Sequence, residues 1–371
     1  MRILYVATSY PEDDGDWRGV FIRNLAFALA RVNDISLAIW APPGPLPEGA
    51  KYLATGSERN WLAKLMADGG IAHVVRSAGW SAVLRPWQLL RQLRALYRRE
   101  DAVDVYHLNW LQTALPLPAN NTPALMTVLG TDLKLLNLPL VKPLLRRVMR
   151  RRAVAICPNA EWMHEPLAAA FGDMALIFPV PFGIDPVWYA VKRNTTSSAP
   201  CWIAVTRLTR DKMGPLLEWS EPLFKGQNRQ LHLIGPMQEQ LELPDWVHYH
   251  GPATPAQLAQ EWFTRAHGLV TLSQHAEGRP QVMLEAMAAG MPIIASDMPA
   301  HASLVQDGVT GRLCKSPADY SAALLQLEDA SCNTKYGAAA RTWARGEIGT
   351  WDDCAQRYFQ LYCKLIASGN A

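Results

Sequence analysis

The sequence has no long apolar segment. Its 371 residues contain no uninterrupted apolar run of about 18 residues, the length that a membrane-spanning helix needs. The first apolar run, Met1–Ala7, meets Ser9 and Pro11 before it could form the apolar core of a secretory signal peptide. We therefore expect a cytoplasmic protein that does not span a membrane.

Paired cysteines and a strong net charge are also missing. The six cysteines form no C-x-x-C pair and have no histidine at the spacing of zinc ligands, so we expect reduced thiols and no zinc module. The formal net charge of +3 is too small to argue for a nucleic-acid-binding protein from charge alone.

What the sequence does contain is an ordinary globular composition, with 49% hydrophobic and 19% charged residues. The chain is longer than one hydrophobic core comfortably supports, which predicts two domains. From the start, β-branched runs alternate with amphipathic ones: Ile3–Ala7 as a strand, Val20–Val32 as a helix and Ile35–Trp40 as a strand. This alternation is typical of a parallel α/β sheet.

A polar stretch without periodicity separates two such series. We predict an N-terminal domain at residues 1–185, a linker at 186–200, a second domain at 201–345, and a last helix within 346–371 that returns toward the first domain. Two doubly wound halves imply a cleft between them, because ligands of such sheets bind beyond the carboxyl ends of the strands.

The pattern predicts further elements in both halves. Strands are expected at Ala72–Val75, Val103–Leu108, Ala124–Val128, Val154–Cys157, Trp202–Thr206, Leu231–Ile234, Val247–His250, Leu269–Leu272, Pro292–Ser296 and Arg312–Cys314, and helices at Pro255–Arg265, Val282–Ala289, Ala318–Leu327 and Asp352–Ile366.

The most informative segment is residues 275–311. A strand feeds a loop that contains Glu277, and a helix then begins near Gln281 and ends at Gly290. Backbone amides at such a helix start, here those of Gln281, Val282 and Met283, favour a phosphate. Glu285 lies about one turn inside the helix, where its carboxylate could accept hydrogen bonds from ribose hydroxyls.

This segment resembles the donor-site motif of the retaining glycosyltransferase family 4. The resemblance rests on the spacing Glu277-x7-Glu285, on the following A-M-A-A-G-M-P-I-I-A-S, and on the D-G-x-T-G turn at residues 307–311. It implies the GT-B fold, two Rossmann-like doubly wound parallel-sheet domains facing a cleft. It also implies retaining transfer from a nucleotide diphosphate-sugar to a glycan or lipid-linked acceptor, in cell-surface polysaccharide or glycolipid biosynthesis, with Glu277 near the sugar.

A second segment agrees with this resemblance. Arg207 and Lys212 resemble the R-x4-K pair of the family, whose cations hold the donor diphosphate as it gains negative charge. Here Met213 stands between Lys212 and Gly214, where the family has the glycine directly after the lysine. Because cations and a helix start meet the phosphate charge, we expect no essential metal and no cofactor apart from the nucleotide-sugar co-substrate.

In the first domain the motif matches are shorter. Gly19 stands where the family often has a glycine pair close to the donor phosphates, although a simple glycine turn explains it almost as well. His107 and Asp132, which resemble acceptor-side residues of the family, are candidate catalytic residues together with Glu277; a histidine at a strand end is more often structural. Asp14 and Asp16 match the D-x-D metal motif of another glycosyltransferase fold, a match that is common by chance.

Arginines are dense in two segments, Arg85–Arg99 and Arg146–Arg152. In the first they alternate with apolar residues, and basic amphipathic helices of this kind can lie on anionic lipid headgroups. Solvated helix faces are an equally good interpretation. Nucleic acid is not expected as a partner, because no recognition module accompanies the charges.

Two other functions remain open at this point. A hydrolysis-independent nucleotide-sugar epimerase would share the two-domain architecture but would release an altered nucleotide-sugar without an acceptor. A non-enzymatic nucleotide-sugar sensor would bind without turnover, and it gives no evident reason to keep Glu277, Arg207 and Lys212 together.

Overall fold

The computed structural model describes residues 1–13, 15–69, 81–130, 132–194, 199–275 and 278–369. The chain divides into two compact units: Met1–Gly183 with Trp351–Ala371, and Ile184–Thr350. The last helix therefore belongs to the first unit. The strand expected at Ala72–Val75 lies outside the described residues.

The first unit is built on a parallel sheet with the strand order β3-β2-β1-β4-β5-β6-β7. Its strands are β1 Arg2–Val6, β2 Ser36–Trp40, β3 Lys51–Tyr52, β4 Val105–Asn109, β5 Ala124–Val128, β6 Val154–Pro158 and β7 Leu176–Ile177. Its helices are α1 Val20–Ala30, α2 Gly56–Ala67, α3 Ser81–Arg99, α4 Asp132–Leu135, α5 Val141–Met149, α6 His164–Phe171 and, counting along the whole chain, α16 Trp351–Gly369.

Both faces of this sheet are buried, as the near-continuous apolar strands require. Along β1 the side chains alternate: Leu4 and Val6 enter a core shared with α2, α3, α5 and α6, whereas Ile3 and Tyr5 enter a core shared with α1 and α16. The sheet is thus the middle layer of three.

The second unit repeats the architecture with the strand order β10-β9-β8-β11-β12-β13, again parallel throughout. Its strands are β8 Cys201–Val205, β9 Gln230–Ile234, β10 Val247–Tyr249, β11 Gly268–Thr271, β12 Ile293–Ser296 and β13 Gly311–Cys314. Its helices are α7 Pro186–Ala190, α8 Arg210–Met213, α9 Leu216–Phe224, α10 Pro255–Gln257, α11 Phe263–Arg265, α12 Gln281–Ala288, α13 Pro299–Ala302, α14 Pro317–Glu328 and α15 Ala330–Trp343.

Two parallel α/β sheets are therefore present, as the sequence predicts. The expected strands within the described residues are found with ends that agree to within two residues. The helix expected at Pro255–Arg265 is interrupted, because a π-helical turn at Leu258–Trp262 separates α10 from α11. Among the described residues, no helix is long and apolar enough to cross a lipid bilayer.

Part of the segment at 186–200 is ordered within the second unit. The Asp185 carboxylate accepts a hydrogen bond from the Val187 amide and caps α7, whose Trp188 is buried in the core. Arg193 is also largely buried, where it donates to backbone carbonyls. The polar composition of residues 186–200 is typical of a linker. The sequence does not reveal that Arg193, within this segment, satisfies buried carbonyl groups.

Candidate functional site

The strand order of the second sheet reverses direction between β8 and β11. In parallel α/β sheets, ligands bind outside the carboxyl ends of the strands at such a switch point. The segments that follow these two strands are residues 206–214, with Arg207 and Lys212, and residues 272–281, which lead into α12. The two segments singled out in the sequence therefore flank the position where the topology favours a ligand.

Direct contacts join the two segments. The Gln274 amide donates to the Asp211 carbonyl at 2.8 Å. Gly214 has φ +51°, and a Cβ there would lie 2.0 Å from the Leu272 carbonyl oxygen, so a side chain would force the segments apart. Lys212, in the single turn α8, is thus held beside the loop after β11.

The residue that departs from the family pattern has a packing role. Met213, between Lys212 and Gly214, is buried in the core of the second unit. The Thr209 side chain accepts from the Lys212 amide at 3.3 Å and caps α8. The extra residue therefore completes the turn by anchoring it to the core.

Arg207 lies in a loop that the end of β9 supports. A Cβ on Gly235 would be 1.8 Å from the Thr206 carbonyl oxygen, so only glycine permits this approach. The Leu208 amide donates to the Pro236 carbonyl at 2.9 Å, and the half-buried Arg207 places its guanidinium 3.4 Å from Gln238 Oε1.

Helix α12 begins at Gln281, after Pro280, which supplies no side-chain cap. Met283 is buried, whereas Gln281 and Val282 are half-buried. The Met283 amide donates to the Pro280 carbonyl at 3.2 Å, so this third predicted phosphate donor is already engaged within the helix start. Glu277 lies outside the described residues.

Two arginines that the sequence analysis did not assign hold the other end of α12. Arg193 donates to the Gly290 carbonyl at 2.6 Å, and Arg341 donates to the Ala289 carbonyl at 2.8 Å. Cations at a helix carboxyl terminus complement its dipole and satisfy its last carbonyls. Burial, with Arg341 nearby, lowers the pKa of Arg193 to about 10. The two guanidinium groups thereby set the position of α12.

Glu285 is half-buried in the second turn of α12. Burial raises its pKa to about 7, and the neighbouring Asp185 carboxylate acts in the same direction. The pKa of this carboxyl group therefore lies close to neutral pH.

In the first sheet the strand order reverses between β1 and β4. Gly19, after β1, is the N-cap of α1 with φ +74°, and a Cβ there would lie 2.8 Å from the Ser9 carbonyl carbon. Only glycine fits this close approach, so the backbone at the switch point of the first unit requires a glycine at position 19.

Asp16 is the aspartate of the D-x-D motif that the structure describes. Asp16 pairs with Arg18 at 2.8 Å; although burial acts to raise the pKa of Asp16, the hydrogen bonds from Arg18 hold it below its usual value. Asp14 lies outside the described residues. Within the described ranges, no three His, Cys, Asp or Glu side chains converge on a site that could hold a metal ion.

His107 is enclosed in the core of the first unit. Its ring is fully buried, with Nε2 2.9 Å from Thr127 Oγ1 and Nδ1 2.5 Å from the Tyr362 hydroxyl. Burial lowers its pKa to about 3. A neutral imidazole with both nitrogens engaged joins β4 and β5 to α16, so the geometry supports the structural interpretation of His107.

Asp132 is buried at the start of α4, and its two carboxylate oxygens accept from different loops. Oδ1 accepts from the Leu111 amide at 2.8 Å, and Oδ2 accepts from the Leu129 amide at 2.9 Å. Burial raises its pKa to about 6, against the lowering effect of these amides. Asp132 therefore ties the loop after β4 to the loop after β5 and has no oxygen without a backbone donor.

The residue before Leu111 was not predicted, and it has an uncommon backbone. Trp110, directly after β4, has φ +70° and ψ 138°, a region that side chains disfavour. Its amide donates to the Thr127 carbonyl, and its carbonyl accepts from the Thr113 hydroxyl at 2.7 Å. Non-glycine residues held in this way cluster at functional sites. A positive φ leaves no signal in the sequence. The sequence shows only that a tryptophan directly follows a strand at the switch point.

Residues 200–329 match the family model described as "Glycosyl transferases group 1". The match covers about a third of the chain and lies within the second unit. The matched range contains none of the candidate residues of the first unit. It contains the described candidate donor-binding residues of the second unit: Arg207, Lys212, Gln281, Val282, Met283 and Glu285.

A curated relative is similar to part of the chain. D-inositol 3-phosphate glycosyltransferase from Thermomonospora curvata is 30% identical over 134 residues, which cover 36% of this chain and 30% of the relative. The aligned part thus spans less than a third of that relative's length.

Solved structures resemble the whole chain. Sucrose-phosphate synthase from Thermosynechococcus elongatus superposes with a TM-score of 0.72 at 16% identity, over 99% of this chain and 100% of the other. HepE from Anabaena, solved in complex with UDP and glucose, superposes with a TM-score of 0.63 at 14% identity, over 98% and 100%. At these identities the likeness establishes the fold, which is GT-B with two Rossmann-like domains.

Proposed function

We propose that the protein is a retaining glycosyltransferase of family 4 that moves a sugar from a nucleotide diphosphate-sugar to a glycan or lipid-linked acceptor. The family match of residues 200–329 and the UDP and glucose bound by the Anabaena neighbour support a nucleotide-sugar donor. Uridine and guanosine donors both fit the proposal.

One observation carries this proposal. At the switch point of the second sheet, the turn with Lys212 contacts the loop that leads into α12, through the Gln274–Asp211 hydrogen bond and the close approach of Gly214 to Leu272. Cations beside a helix start suit a diphosphate, because each stabilises negative charge on the phosphate oxygens.

In this proposal the donor diphosphate binds Arg207, Lys212 and the Gln281 and Val282 amides. The Glu285 carboxyl group binds the ribose hydroxyls, and Glu277 contacts the sugar hydroxyls. Cationic side chains then take the role that a carboxylate-bound metal has elsewhere, so transfer needs no metal and no cofactor other than the donor.

The reaction breaks the bond between the anomeric carbon and the diphosphate oxygen and forms a bond from the anomeric carbon to the acceptor oxygen on the same face. The departing phosphate oxygen takes the acceptor proton, so no side-chain base is required. Negative charge grows on the diphosphate as the bond breaks. The diphosphate therefore interacts more strongly with Lys212 in the transition state than in the ground state.

The acceptor binds at the carboxyl edge of the first sheet, near Gly19 and Trp110, in this proposal. Asp132 acts there as a positioning residue, because it holds the loops after β4 and β5. His107 supports the same edge from within the core.

Thermal denaturation with a panel of nucleotide-sugars tests the donor. A ligand at ~100 times its Kd adds about 2.7 kcal/mol to the free energy of unfolding, and we expect one donor class to raise Tm accordingly. The stabilising donor is then incubated with and without glycan or lipid-linked acceptors. Release of an altered nucleotide-sugar without acceptor would establish an epimerase, and binding without turnover would establish a sensor.

A further inference from the structure

The outer face of α3 changes from apolar to basic along its length. Exposed residues recur at helical spacing as Leu84, Trp87, Arg91, Arg94 and Arg98. Trp87 is 63% exposed, although tryptophan is usually buried or engaged in a contact surface. Leu89, Leu93 and Leu96, on the opposite face, are buried in the core.

A second exposed stripe has the same composition. Leu138, Leu140 and Leu144 are exposed around the start of α5, and Leu140 is 70% exposed with φ +70°. Arg147 and Arg151 continue the stripe, while Leu145 and Met149 are buried on the other side.

Both stripes belong to one face of the first sheet, because the buried sides of α3 and α5 enter the same core. The Tyr97 hydroxyl of α3 donates to the Thr113 carbonyl in the 3-10 turn Leu111–Ala114, against which α5 also packs. Helix α3 leads into β4 and α5 leads into β6, so both helices start at the carboxyl edge of the parallel sheet. The exposed apolar residues of both stripes therefore lie toward that edge.

Carboxylates are missing from these segments. Residues 84–99 and 133–151 contain no Asp or Glu. Arg85 pairs with Asp68, and Arg146 pairs with Asp173. Arg99 pairs with Glu58. Within the described part of the chain, the remaining exposed cations of the two segments form no ion pair with a carboxylate; they are Arg91, Arg94, Arg98, Lys134, Lys142, Arg147, Arg150 and Arg151.

We propose that this basic-apolar surface, formed by the two stripes, docks on an anionic lipid bilayer. Its leucines and Trp87 enter the boundary between headgroups and acyl chains, and its arginines bind lipid phosphates. Nucleic acid would satisfy the cations but offers no apolar phase for five exposed large apolar residues at the sheet edge. Docking needs no donor or acceptor, so it is independent of the proposed function.

Sedimentation of the full chain with phosphatidylcholine vesicles, with or without about one third phosphatidylglycerol, tests the proposal. We expect binding at least tenfold tighter to the anionic vesicles, and weakened by 0.5 M salt. The triple substitution Arg91→Gln, Arg94→Gln and Arg98→Gln is expected to weaken anionic binding on the order of 100-fold.

Matched variants provide the controls. Lys225→Gln, Lys335→Gln and Lys364→Gln remove the same charge from exposed positions elsewhere and are expected to change binding by less than about threefold. Trp87→Ser with Leu140→Ser is expected to weaken binding at least tenfold, whereas Leu325→Ser, also exposed, leaves it unchanged.

Three outcomes overturn the proposal. They are equal binding to both vesicle types, equal losses from the control triple and the arginine triple, and binding to duplex DNA without binding to anionic vesicles. All variants lie at exposed positions, and an unchanged Tm verifies that each is folded.

Discussion

The carboxyl edges of the two sheets have the same topology but different loop chemistry. After β8 and β11, the loops carry Arg207, Lys212 and a helix start. After β1 and β4, the loops carry the Gly19 turn and Trp110, and after β5 comes a buried carboxylate bonded to backbone amides. One edge is charged, whereas the other has a rigid backbone, held by hydrogen bonds and by a close glycine approach. The comparison shows that the sheet sets where a ligand can bind, whereas the loops decide which chemistry it meets.

Lys212→Ala tests the charged edge and has the largest expected effect. Loss of a preorganised cation that acts mainly in the transition state costs on the order of 3 kcal/mol, so kcat should fall roughly 10² to 10³-fold. Steady-state kinetics with the donor found by thermal shift measure it. Lys225→Ala, an exposed lysine paired with Glu221, serves as the control. Wild-type kcat in a folded Lys212→Ala protein would remove the charged edge from the mechanism.

Asp132→Ala tests the rigid edge. Two amides, the buried one of Leu111 and the half-buried one of Leu129, lose their acceptor, which costs about 1 to 3 kcal/mol for each buried group left unsatisfied and less for a half-buried one. Urea denaturation is expected to show a lower midpoint for Asp132→Ala than for Asp132→Asn, which keeps one acceptor oxygen. If the acceptor binds here, its KM rises while donor affinity is unchanged. Equal stability of Asp132→Ala and wild type would mean that the loops are held by other contacts.

Glu285→Gln sharpens the comparison through pH. The folded-state pKa of Glu285 is raised to about 7, above the ordinary value of 4.5, so the stability associated with its protonated form is lost as pH rises through 7. Glutamine carries no charge at any pH, and the variant should gain stability over wild type by about 1 to 3 kcal/mol between pH 5 and pH 8.5. Paired thermal melts at the two pH values measure this. A constant difference in Tm would contradict the raised pKa.

Glu285→Ala has a separate kinetic consequence if the carboxyl group binds ribose. That contact is about equally strong before and during the reaction, so KM for the donor should rise while kcat changes little. A fall in kcat without a change in KM would place Glu285 at the reacting centre instead.

Chelator has the smallest expected effect. If Arg207 and Lys212 meet the phosphate charge as proposed, an excess of EDTA over trace metal should leave the transfer rate nearly unchanged. Restoration of a chelated, inactive enzyme by manganese or magnesium would bring Asp14 and Asp16 back into consideration.

The sequence predicts the fold well because its signals are local. Alternating apolar runs define eleven of the expected strands, whereas β3 and β7 are two residues long and leave no pattern. Proximity of residues 206–214 to the loop after β11 was also predictable, because each segment follows a strand and carries a recognisable motif.

Long-range packing explains what the sequence could not predict. His107 looks like a reactive strand-end residue until Tyr362, 255 positions later, covers it, and Tyr358 bonds Thr127 from 231 positions away. Arg193 looks like a linker residue until it meets carbonyls near residues 266 and 290. These partners are too far apart in the sequence for a pattern within a short window of residues to predict them.

The chain enters and leaves the second unit side by side. The Ile184 amide donates to the Gly349 carbonyl at 3.1 Å, and Ile184 forms a parallel bridge with Thr350. A segment whose two ends are neighbours can be inserted or replaced at one place in another domain. Only two adjacent connections are needed, and the chain path of the rest of the protein is unchanged. Residues 184–350 are thus arranged as an insertion between the two parts of the first unit, Met1–Gly183 and Trp351–Ala371.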